Sequence, residues 1–374
     1  MQRTGFANLP LHGGKAPAWL TIRMLKLARE IATVLIDEYG SDAFLTRIAD
    51  PYWFQAFGCV LGYDWHSSGV TTVVTGVLKQ ALSPEDHGVA VCGGKGRTSR
   101  TTPTEILSVG EKLGFSESRL HTLVYTSRMT AKVDNSCIQA GYHLYHHAFI
   151  MAHSGSWAVV QQGMSAENRT ARRYHWLSSH VSSLVVEPHE AIVGETKLPQ
   201  VLDMTAKESE GARKASVDAA KEKPERTIRL LNAATAQINP KTQKTLLSWL
   251  PIDTSLQTVE TLTLPRKINW NTLRMLYESQ PSNYEELLSI HGVGPATVRG
   301  LALIAELVYG EKPSWKDPVK YSFCVGGKDG VPFPVNRSSY DEIITFLQDA
   351  VERAKLGDKE RIHAIKRLRT LAPG

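Results

Sequence analysis

His147-Ala148-Phe149-Ile150-Met151-Ala152-His153-Ser154-Gly155-Ser156-Trp157-Ala158-Val159-Val160-Gln161-Gln162-Gly163-Met164 contains two apolar runs separated by a short polar segment with one glycine. Ala148–Met151 and Trp157–Gln162 are therefore expected to be strands, joined as a hairpin through His153-Ser154-Gly155-Ser156. Upstream, Gly88-Val89-Ala90-Val91-Cys92 is a further short apolar run, and Gly93-Gly94-Lys95-Gly96 follows it as a glycine loop. Leu120–Thr126 is a strand candidate. Helical periodicity covers residues 20–39, where Leu20, Met24, Leu25, Leu27, Ala28, Ile31 and Leu35 recur and Gly40 follows. Tyr52–Gly62 is aromatic and apolar, hence buried. Val70–Leu82 begins β-branched and becomes helix-like, and Thr102-Pro103-Thr104-Glu105 has the pattern of a capping box opening a helix over 104–113. Strands alternating with helices predict an α/β N-terminal domain over 1–200.

The composition changes after about residue 200. Residues 205–227 hold six basic and five acidic side chains and no large apolar cluster, so 201–227 reads as a charged linker or a solvated helix. Residues 228–310 are helical by periodicity, and 351–369 carry seven Lys and Arg against three acids on a basic helix. The chain as a whole is expected to be an α/β domain followed by an all-α domain over 228–374. Its 374 residues allow two or three domains at roughly 150 residues each. The formal charge of +6 points to an anionic partner. With 42% hydrophobic residues, wholesale disorder is excluded. No apolar run approaches the roughly 20 residues of a membrane span, and no membrane partner is expected. Met1–Gly5 leads into no apolar stretch, so a secretory leader is not expected. Cys59, Cys92, Cys137 and Cys324 form no CxxC pair, which fits reduced, cytoplasmic thiols.

Two regions carry candidate chemistry. The first is Leu287-Leu288-Ser289-Ile290-His291-Gly292-Val293-Gly294-Pro295-Ala296-Thr297-Val298, which resembles a helix-hairpin-helix motif, here spanning 284–309. Gly292 and Gly294 permit a tight turn, Pro295 suits the first helical position, and Val298, Leu301, Ala302, Ile304, Ala305 and Val308 form a packed face. The resemblance implies that Gly292, Val293, Gly294, Ala296 and Thr297 contact a DNA phosphate through backbone N–H groups, with Arg299 extending the track. In base-excision glycosylases a catalytic aspartate follows such a hairpin, and Asp317 lies at a similar distance, where it would stabilise a developing sugar cation. The position of the lysine of lyase-type members is Ala296.

The second region is rich in histidine: eight of thirteen fall between His121 and His189. His143 and His147 would share one face of a helix and chelate a metal there, but Ala148–Met151 reads as a strand and no HExxH-type acid lies between them. The opening stretch instead resembles the phospholipase-D-type phosphodiesterase motif. That resemblance implies a nucleophilic His147, a second histidine protonating the leaving oxygen (His66 or His175), and Gln161 and Gln162 as the polar pair, with no metal or cofactor. The family's lysine position is Phe149, so Lys132 or Arg172 would supply the positive charge. Only one copy of the motif is visible, so a homodimer or the outlying His66 or His175 would complete the site. Lys95, Lys132, Arg172 and Arg173 are candidate phosphate ligands. Asp64 and Asp134, with the histidines, are the alternative ligands of a metal-dependent nuclease.

Gly5–Gly14, Asp64–Gly69, Gln161–Met164, Arg172–Trp176 and Tyr321–Gly330 together resemble domain-of-unknown-function family seven-six-three over nearly the whole chain. The resemblance implies a prokaryotic cytoplasmic protein and brings no activity with it. The residues themselves point to a DNA-processing protein, a structure-specific nuclease acting on duplex, branched or bubble DNA. The alternatives are an Asp317 glycosylase and a non-enzymatic DNA-binding protein, and RNA is an open alternative to DNA.

Overall fold

A computed structural model describes residues 18–63, 68–167, 169–194, 197–238, 268–319, 337–354 and 357–371. Its centre is a five-stranded sheet made of β1 (Val89–Lys95), β3 (His143–Ala152), β4 (Trp157–Ser165), β5 (Thr170–Leu177) and β6 (Ala191–Gly194), in the order β1-β3-β4-β5-β6. Every neighbouring pair is antiparallel. β2 (Ile138–Gln139) and β7 (Leu202–Asp203) form a separate two-stranded ribbon. The fold is thus mixed α/β with an antiparallel sheet, and the expected β3–β4 hairpin lies at its middle.

The sheet is covered on both faces because its inner strands are apolar on both faces. Phe149, Met151, Trp157, Val159, Tyr174 and Trp176 belong to one core, whereas Ala148, Ile150, Ala152, Ala158, Val160 and Leu177 belong to the other. This is the period-two alternation of strands buried on both sides. The second core is closed by α1 (Ala18–Tyr39), α2 (Ser41–Ala49), α3 (Pro51–Val60) and α4 (Gly69–Ala81). The Asp50 carboxylate accepts from the N–H groups of Tyr52 and Trp53 at the start of α3, and Pro51 fits its first turn. All ten residues of α3 are buried, as Tyr52–Gly62 predicts.

The first core is closed by α6 (Thr102–Lys112) and α7 (Glu117–Ser136), joined by α8 (Glu210–Ala220), α9 (Pro224–Ile238), α10 (Trp270–Ser279), α11 (Tyr284–Ser289) and α12 (Pro295–Tyr309). Leu120–Thr126 is part of helix α7 and not a strand. Leu120, Leu123, Val124, Ser127, Thr130, Val133 and Asp134 recur at helical spacing on its buried side, and the Ser116 hydroxyl caps its start. Seven residues of α8 are buried, including Arg213, which donates to the carbonyls of Met204 and Ala206, so this stretch is packed rather than solvated. The short apolar side of α8 is made of alanines and a valine, which is why no large apolar cluster marks it in the sequence. The core of this face runs without a break through residue 200. α13 (Arg337–Arg353) and α14 (Asp358–Leu371) return to the opposite face, where Leu347, Ala350, Val351 and Ala364 join the α1–α4 core. No helix among the described residues is long and apolar enough to cross a membrane.

Candidate functional site

The strand alternation that divides the core also divides the polar residues of the histidine-rich region. His147 pairs across the strands with Gln161, and Gln161 with Tyr174, all on the α7 side. His146, Gln162, Arg173 and His175 point to the α1–α4 side. One residue of register separates each pair, so neighbours in sequence end in different environments.

On the α7 side the side chains form a chain of hydrogen bonds. The His147 Nε2 lies 2.8 Å from the Ser127 hydroxyl, and its Nδ1 lies 2.8 Å from the Gln161 Oε1. The Gln161 amide donates to the Asp134 Oδ2 at 2.6 Å, the Trp176 indole donates to the same oxygen at 3.1 Å, and the His189 Nε2 meets Oδ1. An indole N–H can only donate, so Oδ2 is an accepting oxygen and Gln161 must present its NH2 group to it. Its carbonyl oxygen then faces His147 and requires a proton on Nδ1. Nε2 is left with a lone pair, and the Ser127 hydroxyl donates to it. Burial pushes the His147 imidazole down to about 4, against the opposing effect of its hydrogen bond to the Gln161 oxygen, so the ring is neutral at ordinary pH. Burial pushes the Asp134 carboxyl up, and His189 and Trp176 oppose that shift.

Helix α7 makes this arrangement. Ser127 and Asp134 are seven residues apart, two turns along one face, or about 10 Å at 1.5 Å per residue. That is about two strand spacings, so one helix face laid across the sheet sets Ser127 over β3 and Asp134 over β4 and β5. Ser127 and His147 form the floor of a cleft of about 330 Å³. Its wall includes Ser99, Arg100, Thr102 and Pro103 at the start of α6, and Arg128 from α7. Arg100 and Arg128 are exposed, and the lining holds no carboxylate. Glu105 ties the wall down: its carboxylate accepts from the Gly93 N–H, the Lys79 ammonium and the Thr101 hydroxyl, in place of the expected capping box. These contacts hold its carboxyl below the ordinary range despite the opposing effect of burial.

The other face holds a second set. The His146 Nε2 is 3.0 Å from the Thr75 hydroxyl. Gln162 donates to the Ser68 carbonyl and the Tyr145 hydroxyl and accepts from Thr71. The Arg173 guanidinium donates to the His175 Nε2 at 2.8 Å and to Gln55, and lies over the Phe54 ring. Burial lowers the imidazoles of His146, to about 3, and of His175, for which the neighbouring Arg173 charge adds to the effect.

The expected site is therefore assembled only in part. His147 and Gln161 meet as expected. Gln162 and His175 sit beyond the sheet, because adjacent strand residues face opposite ways, and neither reaches His147. His143 is exposed at the start of β3, so it shares no helix face with His147. Arg172 and Arg173 are fully buried and line no part of this cleft. Arg172 donates to the Asp317 carboxylate at 2.7 Å and lies over the Tyr142 ring. Asp317 is itself buried and also accepts from the Leu198 and Val319 N–H groups, so its oxygens serve the packing around β5. Lys132 donates to the Ile290 carbonyl and does not enter the cleft; Lys95 is exposed beside the Tyr145 ring. His66 and Asp64 lie outside the described residues, as do Gly5–Gly14 and Tyr321–Gly330. Sequence reading missed Ser127, Arg100 and Arg128. The signal for Ser127 was a pair of polar residues at heptad spacing, Ser127 and Asp134, on the buried side of the helix.

At the second candidate region, Ile290–Gly294 joins α11 to α12. Gly292 has φ +83°, and a Cβ there would stand 2.6 Å from the Thr272 hydroxyl. Val293 is buried, while His291, Gly292 and Ala296 are exposed and Thr297 is buried. Gly294 caps α12 without a side chain. Arg299 is half-buried and donates to Gln139 at 2.6 Å, and Gln139 in turn donates to the Pro295 carbonyl at the start of α12. Among the described residues no group of three or more His, Cys, Asp or Glu side chains converges to hold a metal ion.

Residues 5–335 match the family model described as Protein of unknown function (DUF763). No curated protein matches, and no solved structure matches.

Proposed function

We propose, for a chain that belongs to this family of unknown function, the hydrolysis of a nucleic-acid phosphodiester at the cleft floored by Ser127 and His147. The observation that carries the reading is the orientation of His147: its Nδ1–H is donated to Gln161, which Asp134 orients, and the lone pair of Nε2 faces Ser127, both residues lining a cleft flanked by arginines. A neutral imidazole so held moves protons, as general acid–base catalysis requires. Arg100, Arg128 and the N-terminus of α6 supply positive potential for a phosphate and for the charge that develops on it. The site in this reading is complete within one chain.

The helix-hairpin-helix reading of α11–α12 adds a grip on the backbone of DNA. In its support, the exposed turn and the N-terminus of α12 carry backbone donors. α7 connects that turn to the cleft: Arg128 lines the cleft, and Lys132, one turn further on, donates to the Ile290 carbonyl. The two regions then act on neighbouring phosphates of one strand.

The test is a gel assay on end-labelled single-stranded, duplex, bubble and flap DNA, with magnesium or with excess EDTA. Cleavage that survives EDTA and falls at least a hundredfold in His147→Ala is the expected result, in keeping with the usual contribution of a general base. Undiminished cleavage by that variant, or cleavage only with magnesium, overturns the reading. Retarded bands without cleavage leave a binding protein.

A further inference from the structure

We infer that Ser127 is the nucleophile and that cleavage passes through a covalent seryl phosphodiester; the inference rests on the phosphodiesterase reading above. The first ground is the tautomer. Asp134 and Gln161 place the proton of His147 on Nδ1, so the lone pair that would attack phosphorus is the one the Ser127 hydroxyl already donates to, at 2.8 Å. The imidazole is thereby set to receive a proton from Ser127 rather than to attack.

The second ground is the behaviour of the threonine hydroxyls of α7. Thr122, Thr126 and Thr130 turn back to carbonyls of their own helix, those of Ser118, Thr122 and Ser127. That is the ordinary fate of a helical hydroxyl. Ser127 instead reaches across to β3. The third ground is the surroundings. Ser127 lines the same cleft as Arg100, Arg128 and the first residues of α6, which can take up the charge on a phosphate's free oxygens. Nucleophile, base and orienting groups follow one another within hydrogen-bond reach, as nucleophilic catalysis requires.

The steps balance without a further reactant besides water. The Ser127 Oγ attacks phosphorus while its proton passes to the His147 Nε2. The bond from phosphorus to one sugar oxygen breaks, and that oxygen leaves with the proton from Nε2. Water then attacks the seryl phosphodiester and gives its proton to Nε2. The Oγ–P bond breaks, the proton returns to Oγ, and a phosphomonoester end is released. Gln161 and Asp134 act as positioning residues, stabilising the imidazolium that forms in each step.

The experiment uses the full chain and two readouts. In the first, the protein is incubated with a dialkyl fluorophosphate, which loses fluoride as a serine oxygen attacks, and the modified peptide is identified by mass. In the second, DNA cleavage is measured for wild type, Ser127→Ala and Ser127→Cys, with thermal unfolding of each as a folding control. The expected result is label on Ser127, at least a hundredfold slower labelling in His147→Ala, and at least a thousandfold loss of cleavage in folded Ser127→Ala. Cleavage within tenfold of wild type in Ser127→Ala overturns the serine nucleophile and leaves the phosphodiesterase standing. A phosphoryl adduct found on His147 after a neutral quench does the same. Label on Ser127 with no cleavage of any DNA or RNA supports the nucleophile and overturns the nucleic-acid substrate.

Discussion

Gln161 is the hinge of the site, because its two amide ends do different work. The NH2 group satisfies a buried carboxylate, and the carbonyl oxygen selects the tautomer of His147. Gln161→Leu keeps the size and removes both ends, leaving Nδ1–H without a partner in a buried setting and the Asp134 Oδ2 with Trp176 alone. We expect a loss of about 1–3 kcal/mol in urea unfolding, the usual cost of orphaning a buried polar group, and a fall of at least tenfold in cleavage. A variant that keeps its full rate would show that the tautomer does not matter. The pH profile tests His147 itself. Because burial pushes it down to about 4, the rate at pH 5.5 should stay within about twofold of that at pH 7.5. An imidazole at its ordinary value near 6.5 would lose about tenfold over that interval. Asp317 has a different fate. Arg172→Met would leave its carboxylate buried without its cation, at a cost of about 3–5 kcal/mol. That loss should appear in the unfolding curve, with the cleavage products unchanged in pattern.

At the scale of elements, β1 and α7 decide whether the cleft exists. β1 approaches β3 closely at Gly93, which has φ +92°. A Cβ there would stand 2.3 Å from the His147 carbonyl oxygen and 2.4 Å from the Thr102 hydroxyl. Gly93→Ala must therefore move β1 away from the strand that carries His147, or move the start of α6. We expect a loss of about 1–3 kcal/mol, as for other overpacked sites, and a lower cleavage rate in the folded fraction. Gly76 is the control. It lies inside α4 with nothing within 4 Å of its would-be Cβ. Gly76→Ala should stabilise by about 0.5–1 kcal/mol through helix propensity and leave cleavage untouched. Opposite outcomes at the two glycines in the same unfolding assay would confirm that the β1–β3 approach is a packing requirement. α7 is also where reading the sequence by local propensity fails. Leu120–Thr126 is apolar and partly β-branched, which is a strand pattern over seven residues, while its helical spacing is visible only when the window extends to Asp134. A strand there would have turned Ser127 and Asp134 to unrelated places.

At the scale of the whole molecule, two buried polar sets lie back to back across one sheet, and this makes stability depend on pH. His146, His147 and His175 are held neutral by burial, with the first two lowered to about 3 and about 4. In the unfolded chain they protonate near 6.5, so the unfolded state binds more protons below that pH. Stability is therefore complete above about 6.5 and falls as pH drops towards the folded values, by up to about 1.4 kcal/mol per pH unit for each imidazole. Asp134, Asp203 and Glu306, whose carboxyls burial pushes up, act with the opposite sign, but only from the ordinary carboxylate range upward to their folded values, whereas Glu105, held below that range, adds to the loss on acidification. Urea midpoints should be nearly level from pH 7.5 to about 6.5 and fall from there to pH 5, and a series flat down to pH 5 would contradict the buried neutral rings. If the α11–α12 turn holds a duplex backbone, affinity should fall linearly with the logarithm of salt, by about 0.9 per phosphate neutralised, and little with base sequence. Several features were legible in the sequence alone. The long helix α1, the burial of Tyr52–Gly62, the β3–β4 hairpin and the α11–α12 turn each follow from short-range periodicity, composition and turn residues, and membership of the family follows from motifs spread along the chain. The pairing of His147 with Gln161 is also local, since a hairpin fixes its own register. Only the tertiary structure decided the rest. The antiparallel strand order, the separation of Gln162 and His175 from His147, the withdrawal of Arg172 and Asp317 into the core, and the arrival of Ser127 and Asp134 on either side of the hairpin all depend on which helix covers which face. That choice is made by burying apolar surface between segments far apart in the chain, and no periodicity within either segment records it.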